Sequence, residues 1–486
     1  MLFHQLSTSF KERAQILQHP AALGIESHSI DFIPEDERHG RVTDQGLFWF
    51  VSNFQFFAIA IGFVGPSLGL SLGYAALAGT IGILIGTAFQ AFHASQGPEM
   101  GLPQMIQSRA QFGYRGVIVP LLAALISVIG YNVVATVLLA NGMYALWGLP
   151  RGATAATASM VACALAIWGY DWLHRAFNLL FWIGLPLFAV LTLHVATRHG
   201  SGSPAAIGGF SWAAFGTQIA SAASFNIGSA PYVSDYSRYL PRFTSRRLII
   251  LNVFVGSALS AIWLIALGAW LATRLGAGDG LLALQLAGNN VHSGFGAVLA
   301  MTSIATLVAS IGMNAYSGML TLLTAMDSLR PIGPTRSLRI TVLLALTLLW
   351  STSTVWLAGN SIAYVNALLV LMLYCLMPWT AVNLVDYFWL RRGNYSILDL
   401  FRRDGIYGQW GKRGLTAYAI GFAVSVPFFV IPEVYTGAFA NRLGGVDIGW
   451  LVGGCAAAAA YLIASARFSA ADEAAANESS ARELGH

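Results

Sequence analysis

Long apolar runs, separated by short charged connectors, occupy nearly the whole chain. Twelve can be read, roughly at 47–72, 74–94, 116–147, 153–169, 177–197, 208–234, 248–273, 295–325, 338–357, 361–389, 414–434 and 446–467. Most reach the ~20 residues that carry a helix across a hydrocarbon core. The pattern predicts an all-α polytopic membrane protein of twelve transmembrane helices. A polar segment, 1–46, precedes the first run, and a small-residue, polar tail, 468–486, follows the last and reads as flexible. Residues 1–46 show no cleavable signal pattern, so the first span is expected to direct insertion.

The polar exceptions inside the runs are more informative than the runs. Span six contains ASFNIGSAPY (223–232), where Asn226, Gly228, Ser229 and Pro231 make a poor straight helix. Span one contains FFAIAIGFVGPSLG (56–69), with Gly62, Gly65 and Pro66. Secondary transporters with inverted repeats place paired helix breaks near mid-membrane, and these form the binding site. Spans three and eight give a second echo: IGYN (129–132) and IGMN (311–314), each after a connector rich in Gly, Gln and small residues. The order predicts a first repeat at 47–197 (helices 1–5), an inverted second at 208–389 (helices 6–10), and two accessory helices at 414–467. Helices 1 and 6 are expected to be discontinuous.

Composition and charge agree. The chain of 486 residues is 56% hydrophobic and 10% charged, with a mean hydropathy of +0.64; soluble proteins carry ~25% charged residues. With the N-terminus in the cytoplasm, only Arg151, Arg198, Arg274 and Arg442 among the 26 Lys and Arg fall outside, as the positive-inside rule requires. Both termini are therefore expected in the cytoplasm, in a multi-pass protein of the cell membrane. The net charge of +5 reflects insertion and an anionic inner leaflet; no nucleic-acid partner is implied, and the bilayer and a small solute are the expected partners. Cys163, Cys375 and Cys455 all lie within spans, so no disulfide framework is expected. No zinc spacing, nucleotide loop or nucleophile–base pair occurs, which argues against an enzyme or a bound cofactor. No obligate protein partner is evident.

The candidate site follows from the breaks. Unwinding frees backbone polar groups, which are costly in lipid unless they line a cavity. Phe56 and Phe57 flank one break; Phe225 and Asn226 lie on the other, beside Gly228. Aromatic faces stack on planar solutes, at ~1–3 kcal/mol per base in nucleic-acid systems. In span eight, Ser303, Thr306, Ser310, Asn314, Ser317, Thr321 and Thr324 share one face, a stripe of about 21 residues or roughly 30 Å. Such a stripe faces the bundle or a watery path; interhelical hydrogen bonding is the plainer alternative. Asn314 is the strongest amide, able both to donate and to accept. Tyr131 in span three reads as a wall and Asn132 as a packing amide; span ten adds Asn366, Tyr374, Pro378 and Asn383. No Asp, Glu, Lys or Arg lies near the centre of any span, while Asp235, Asp327 and Asp386 lie at span ends beside Arg. Aromatics and amides without fixed charge suit a neutral planar solute.

The stretches GLPQMIQSRAQFG (101–113), PYVSDYSRYLP (231–241) and PWTAVNLVDYFWLRRG (378–393), with IPEDERHG (33–40), resemble the nucleobase–cation symporter family, the cytosine/purine permeases. The resemblance runs from about residue 30 to 465. It implies a LeuT-like fold of ten core helices plus two, importing a nucleobase-type heterocycle by alternating access with Na+ or H+. It also implies that aromatics of spans one and six hold the ring, at Phe56 or Phe57 and at Phe225 or Asn226. Tyr131 would face the solute and Asn314 would contact it, with Ser317 a turn away. A family Gln falls on Ala135. A sodium site would draw on the carbonyls of Ala58 and Ile61 and the hydroxyl of Ser310, although span eight offers few hydroxyls. The alternatives are a same-fold symporter for an amino acid, allantoin, hydantoin or another metabolite, and a passive channel.

Overall fold

The structure, a computed structural model, describes residues 26, 28–197, 208–276, 278–356, 361–431 and 434–484. Residues 1–25 and Arg198 lie outside the described residues, as does the side chain of Asn366. Helices occupy each of the twelve apolar runs: α1 (Val42–Asn53) with α2 (Phe56–Gly62), then α3 (Leu72–Ala94), α4 (Ile118–Trp147), α5 (Arg151–Trp168) and α6 (Tyr170–Thr197). After them come α7 (Trp212–Ile227) with α8 (Val233–Ser237), α9 (Arg246–Leu275), α10 (Phe295–Leu329), α11 (Arg336–Trp356), α12 (Ser361–Val385), α13 (Lys412–Ser425) and α14 (Gly449–Ala464). Seven described helices are long and apolar enough to cross a membrane unaided, and the α1–α2 pair, bent by 60°, makes up to eight. The others are shorter or more polar.

Small residues bring these helices together, as expected where lipid gives no hydrophobic drive for association. A Cβ on Gly62 would lie 2.2 Å from the Ile265 carbonyl of α9, and one on Gly268 would lie 2.2 Å from the Ile59 carbonyl of α2. Gly82 and Gly86 of α3 press equally closely on the Ile219 and Ala223 carbonyls of α7, at 2.3 Å each. The IGYN and IGMN motifs touch: Asn132 donates its amide to the Ile311 carbonyl at 3.3 Å where α4 crosses α10.

The sixth segment breaks where its sequence breaks. Helix α7 stops at Ile227, before Pro231, which lacks an N–H and disfavours helix in its predecessor. The first segment breaks earlier than expected. The interruption is at Phe54 (φ −89°, ψ 60°) and Gln55 (φ −148°, ψ 162°), not at Gly62–Pro66. Gly62 is spent on the contact with α9, and the Gly65 N–H donates to Gln218 Oε1 at 2.6 Å. The break at residue 55 is stabilised locally, since the Gln55 side chain accepts the Phe57 N–H at 2.6 Å and so caps α2.

The connectors also fold. The one before α4 forms two one-turn helices, Gln104–Gln107 and Arg109–Phe112, and the one before α10 forms a helix over Gly280–Val291. At the arginine-rich end, Arg109 pairs with Asp327 at 2.9 Å and Arg391 with Asp386 at 2.5 Å. Asp235 instead accepts the Gln104 N–H at 3.0 Å. The segment after 468, expected as a flexible tail, is corrected to a helix, α15 (Ala471–Glu483). Glu473 holds it there by a two-pronged pairing with Arg391 at 2.8 and 2.7 Å.

Candidate functional site where two breaks meet

Three aromatic rings gather beside the two interruptions. Phe57, near the start of α2, faces Phe225, near the end of α7, with ring centroids 5.7 Å apart and planes 10° from parallel. Tyr131, in the middle of α4, closes the group at 5.4 Å from Phe57 and 6.4 Å from Phe225. The helix end explains why Tyr131 belongs there. The Ser229 N–H turns to the Asn226 carbonyl at 3.2 Å, leaving the Phe225 carbonyl without its helical partner. The Tyr131 hydroxyl donates to that carbonyl at 3.1 Å. Gly228 makes room for the ring: a Cβ there would lie 2.6 Å from Tyr131 Cε2.

Helix α10 supplies the polar side. Its stripe is buried throughout, and four of its six hydroxyls turn back onto their own helix: Thr306 bonds the Ser303 carbonyl, Ser310 that of Thr306, Thr321 that of Ser317 and Thr324 that of Leu320. These bonds stay within α10, so Thr306, Thr321 and Thr324 do not supply the interhelical hydrogen bonding expected as the plainer alternative. Three residues reach across. Ser310, besides its 2.9 Å bond to the Thr306 carbonyl, lies within 3.1 Å of the Ser52 carbonyl at the end of α1. Asn314 accepts from the Tyr232 hydroxyl at 2.9 Å. Ser317 donates to the Tyr236 hydroxyl at 3.3 Å. Within the stripe, Ser310 and Asn314 keep the most exposure, 5% and 7%, where the breaks converge.

The two members of each pair of alternatives make different contacts. Phe57 joins the aromatic group, while Phe56 is buried without a ring partner among the described residues. Phe225 contributes the ring, and Asn226 is a brace: it accepts from Asn53 Nδ2 at 2.8 Å and donates to Thr87 Oγ1 at 2.6 Å. Of the three residues expected at a sodium site, Ile61 and Ser310 make hydrogen bonds to neighbouring segments. The Ile61 carbonyl takes Gln218 Nε2 at 3.3 Å, and Ser310 turns to Ser52. Sequence reasoning missed Asn53, Gln55, Thr87 and Tyr232. Asn53 and Gln55 did leave a signal, as amides two apart in the apolar run 47–72.

Helices α2, α4 and α7 contain no Asp, Glu, Lys or Arg, and α10 contains only Asp327, near its far end. Two interrupted helices converging on an uncharged wall of rings and amides define a secondary transporter of the LeuT-like, inverted-repeat class. Residues 32–453 match the profile of the family described as permease for cytosine/purines, uracil, thiamine, allantoin, and the chain belongs to that family. It is similar to YxlA of Bacillus subtilis, named as a purine-cytosine permease, at 31% identity over 435 residues, covering 88% of this chain and 93% of that one. It is also similar to the purine-cytosine permease fcyB of Emericella nidulans, at 25% identity, covering 92% of this chain and 90% of that one. Among solved structures it shares the fold of Mhp1, a nucleobase-cation-symport-1 family transporter, in a closed conformation with bromovinylhydantoin bound. The TM-score is 0.69 at 19% identity, covering 96% of this chain and 100% of that one.

Proposed function

We propose that this permease carries a nucleobase or closely related planar heterocycle into the cell by cation-coupled symport with alternating access. It works in the cell membrane with both termini in the cytoplasm. The observation that carries this reading is the group of Phe57, Tyr131 and Phe225 beside two helix breaks, on helices α2, α4 and α7 that contain no Asp, Glu, Lys or Arg. The ring faces take a flat π system, the Asn314 amide and freed backbone groups take its polar edge, and the lack of charge excludes ions as the main cargo. Alternating access fits a site built on two interrupted segments, Phe57 of α2 and Phe225 of α7, which can move about their breaks while α4 and α10 stay continuous.

The coupling ion is Na+ or H+. Ser310 lies where α10 meets the first break, 3.1 Å from the Ser52 carbonyl, and with the carbonyls of Ala58 and Ile61 it is the candidate place for a sodium ion. One experiment tests cargo and ion together: uptake of labelled cytosine, uracil, adenine, hypoxanthine and allantoin into cells lacking their own permeases. Each is measured with and without sodium, and with a protonophore. Concentrative, saturable uptake of at least one of them is expected. Accumulation of none would overturn the cargo class, and non-saturable equilibration would replace the symporter with a channel. Loss of uptake on sodium removal identifies Na+; loss with protonophore alone identifies H+.

A further inference from the structure

The Tyr232 hydroxyl has one hydrogen-bond partner among the described residues, Asn314 Oδ1 at 2.9 Å. A buried phenol proton needs an acceptor, and this carbonyl oxygen is the one within reach. The Tyr232 ring is held in turn: Trp49 of α1 stacks on it at 6.5 Å and 29°, and the Ser229 carbonyl accepts its N–H at 3.1 Å. One turn along, the Tyr236 hydroxyl donates to the Met313 carbonyl at 2.7 Å, fixing the α10 backbone next to Asn314. An amide whose oxygen is engaged this way has its NH2 left to offer a solute. Asn314 Nδ2 donates to no protein group among the described residues, and Asn314 is among the most exposed residues of its stripe, at 7%.

We infer that Tyr232 is a positioning residue that locks Asn314 as a hydrogen-bond donor, so that the permease selects solutes presenting an acceptor, a carbonyl oxygen or unprotonated ring nitrogen, at that point. The inference rests on the nucleobase reading above and adds the polarity of the contact. Cytosine and uracil, or adenine and hypoxanthine, have similar outlines but exchange donor for acceptor along one edge. A site with one fixed donor discriminates within such a pair, because the mismatched base leaves two buried donors facing each other. A site whose amide can turn over accepts either base.

The test is competition against the best-transported base, giving inhibition constants for both pairs. In Tyr232→Phe the amide is released, and the pair with the widest ratio in the native protein should narrow by about fivefold or more, the scale of one net hydrogen bond. In an Asn314→Ala background the same substitution should leave the ratio unchanged. Para-aminophenylalanine at position 232 keeps an N–H donor where the hydroxyl stands, and para-methylphenylalanine keeps only the shape. The first should hold the native ratio and the second should narrow it, a comparison that stands even if Tyr232→Phe fails to insert. A merely structural Tyr232 would lower uptake of all bases by one common factor, and that result overturns the inference. So does a ratio shift of equal size in the Asn314→Ala background. A native protein that binds none of the bases overturns the nucleobase reading itself, which an altered or unaltered ratio cannot do.

Discussion

A methyl group on Gly228 would stand 2.6 Å from Tyr131 Cε2 and 3.0 Å from its hydroxyl. The backbone there is right-handed, at φ −56°, so alanine is not strained at that position, and the collision with Tyr131 is the main effect beside a tight 3.1 Å approach to the Ser224 carbonyl. Gly228→Ala should push the ring off the Phe225 carbonyl and loosen the aromatic group. Overpacking of this kind costs ~1–3 kcal/mol, so the apparent affinity for the transported base should fall about tenfold or more with normal amounts in the membrane. Binding and surface expression measured together check this; full affinity would separate Gly228 from the site. At this scale the sequence is legible wherever a residue breaks its local pattern. Gly228 and Asn314 are small or polar in apolar helices, and both lie at the convergence. Phe56 and Phe57 could not be told apart, because one residue along a helix turns a side chain by about 100° and the facing residue depends on where α2 begins. Tyr232 left no signal, since one more tyrosine in a chain with 12% aromatic residues is unremarked.

Elements were legible in order and kind, less so in their joints. Gly and Pro mark the break in the sixth segment because Pro231 blocks the helix there. The same residue types misplaced the first break, because glycine in a membrane helix is as often spent on close packing, as Gly62 is against Ile265. The structure also shows what ties the two breaks together. Asn53 at the end of α1 donates to Asn226 near the end of α7 at 2.8 Å and to the Ser257 carbonyl of α9 at 3.3 Å, and Asn226 passes the contact on to Thr87 of α3. Residues this far apart in sequence leave no periodic trace. Asn53→Ala strands a buried carbonyl oxygen on Asn226, which should lower stability by ~1–3 kcal/mol. Asn226→Ala removes both ends of the chain. If the brace is real, the double variant should be less destabilised than the sum of the two singles. Thermal unfolding of the four proteins in detergent measures this, and strict additivity would show that the two amides do not interact.

At the scale of the whole molecule, buried ion pairs gather at the arginine-rich end, and the described residues before α1, 26 and 28–41, are folded into it. The Ile33 N–H bonds the Gly101 carbonyl at 3.0 Å, and the His39 N–H bonds that of Tyr239 at 2.6 Å. Glu26 accepts from Tyr239 and Tyr316 and pairs with Arg339. The stretch thus straps α8, α10 and α11 together at the arginine-rich end. None of this was legible, because residues 26–41 have the composition of a solvated tail and gain structure only from distant partners. Within the strap, His28 places Nδ1 2.6 Å from Asp31 and Nε2 2.7 Å from Glu37. Burial alone would lower its pKa, but the hydrogen bonds and charges of these carboxylates outweigh burial and raise it to about 9. An unfolded histidine titrates near ~6.5, so the bound proton favours the folded strap. That contribution is complete below ~6.5 and disappears as the pH rises through about 9. Cleavage of the strap by subtilisin, normalised to an unstructured peptide at each pH, should therefore rise several-fold between pH 7 and 10 in the native protein. In His28→Gln, which cannot hold the proton, cleavage at pH 7 should already be raised and should change little with pH. Equal cleavage of the native strap at both values would show that the imidazolium does not hold it in place.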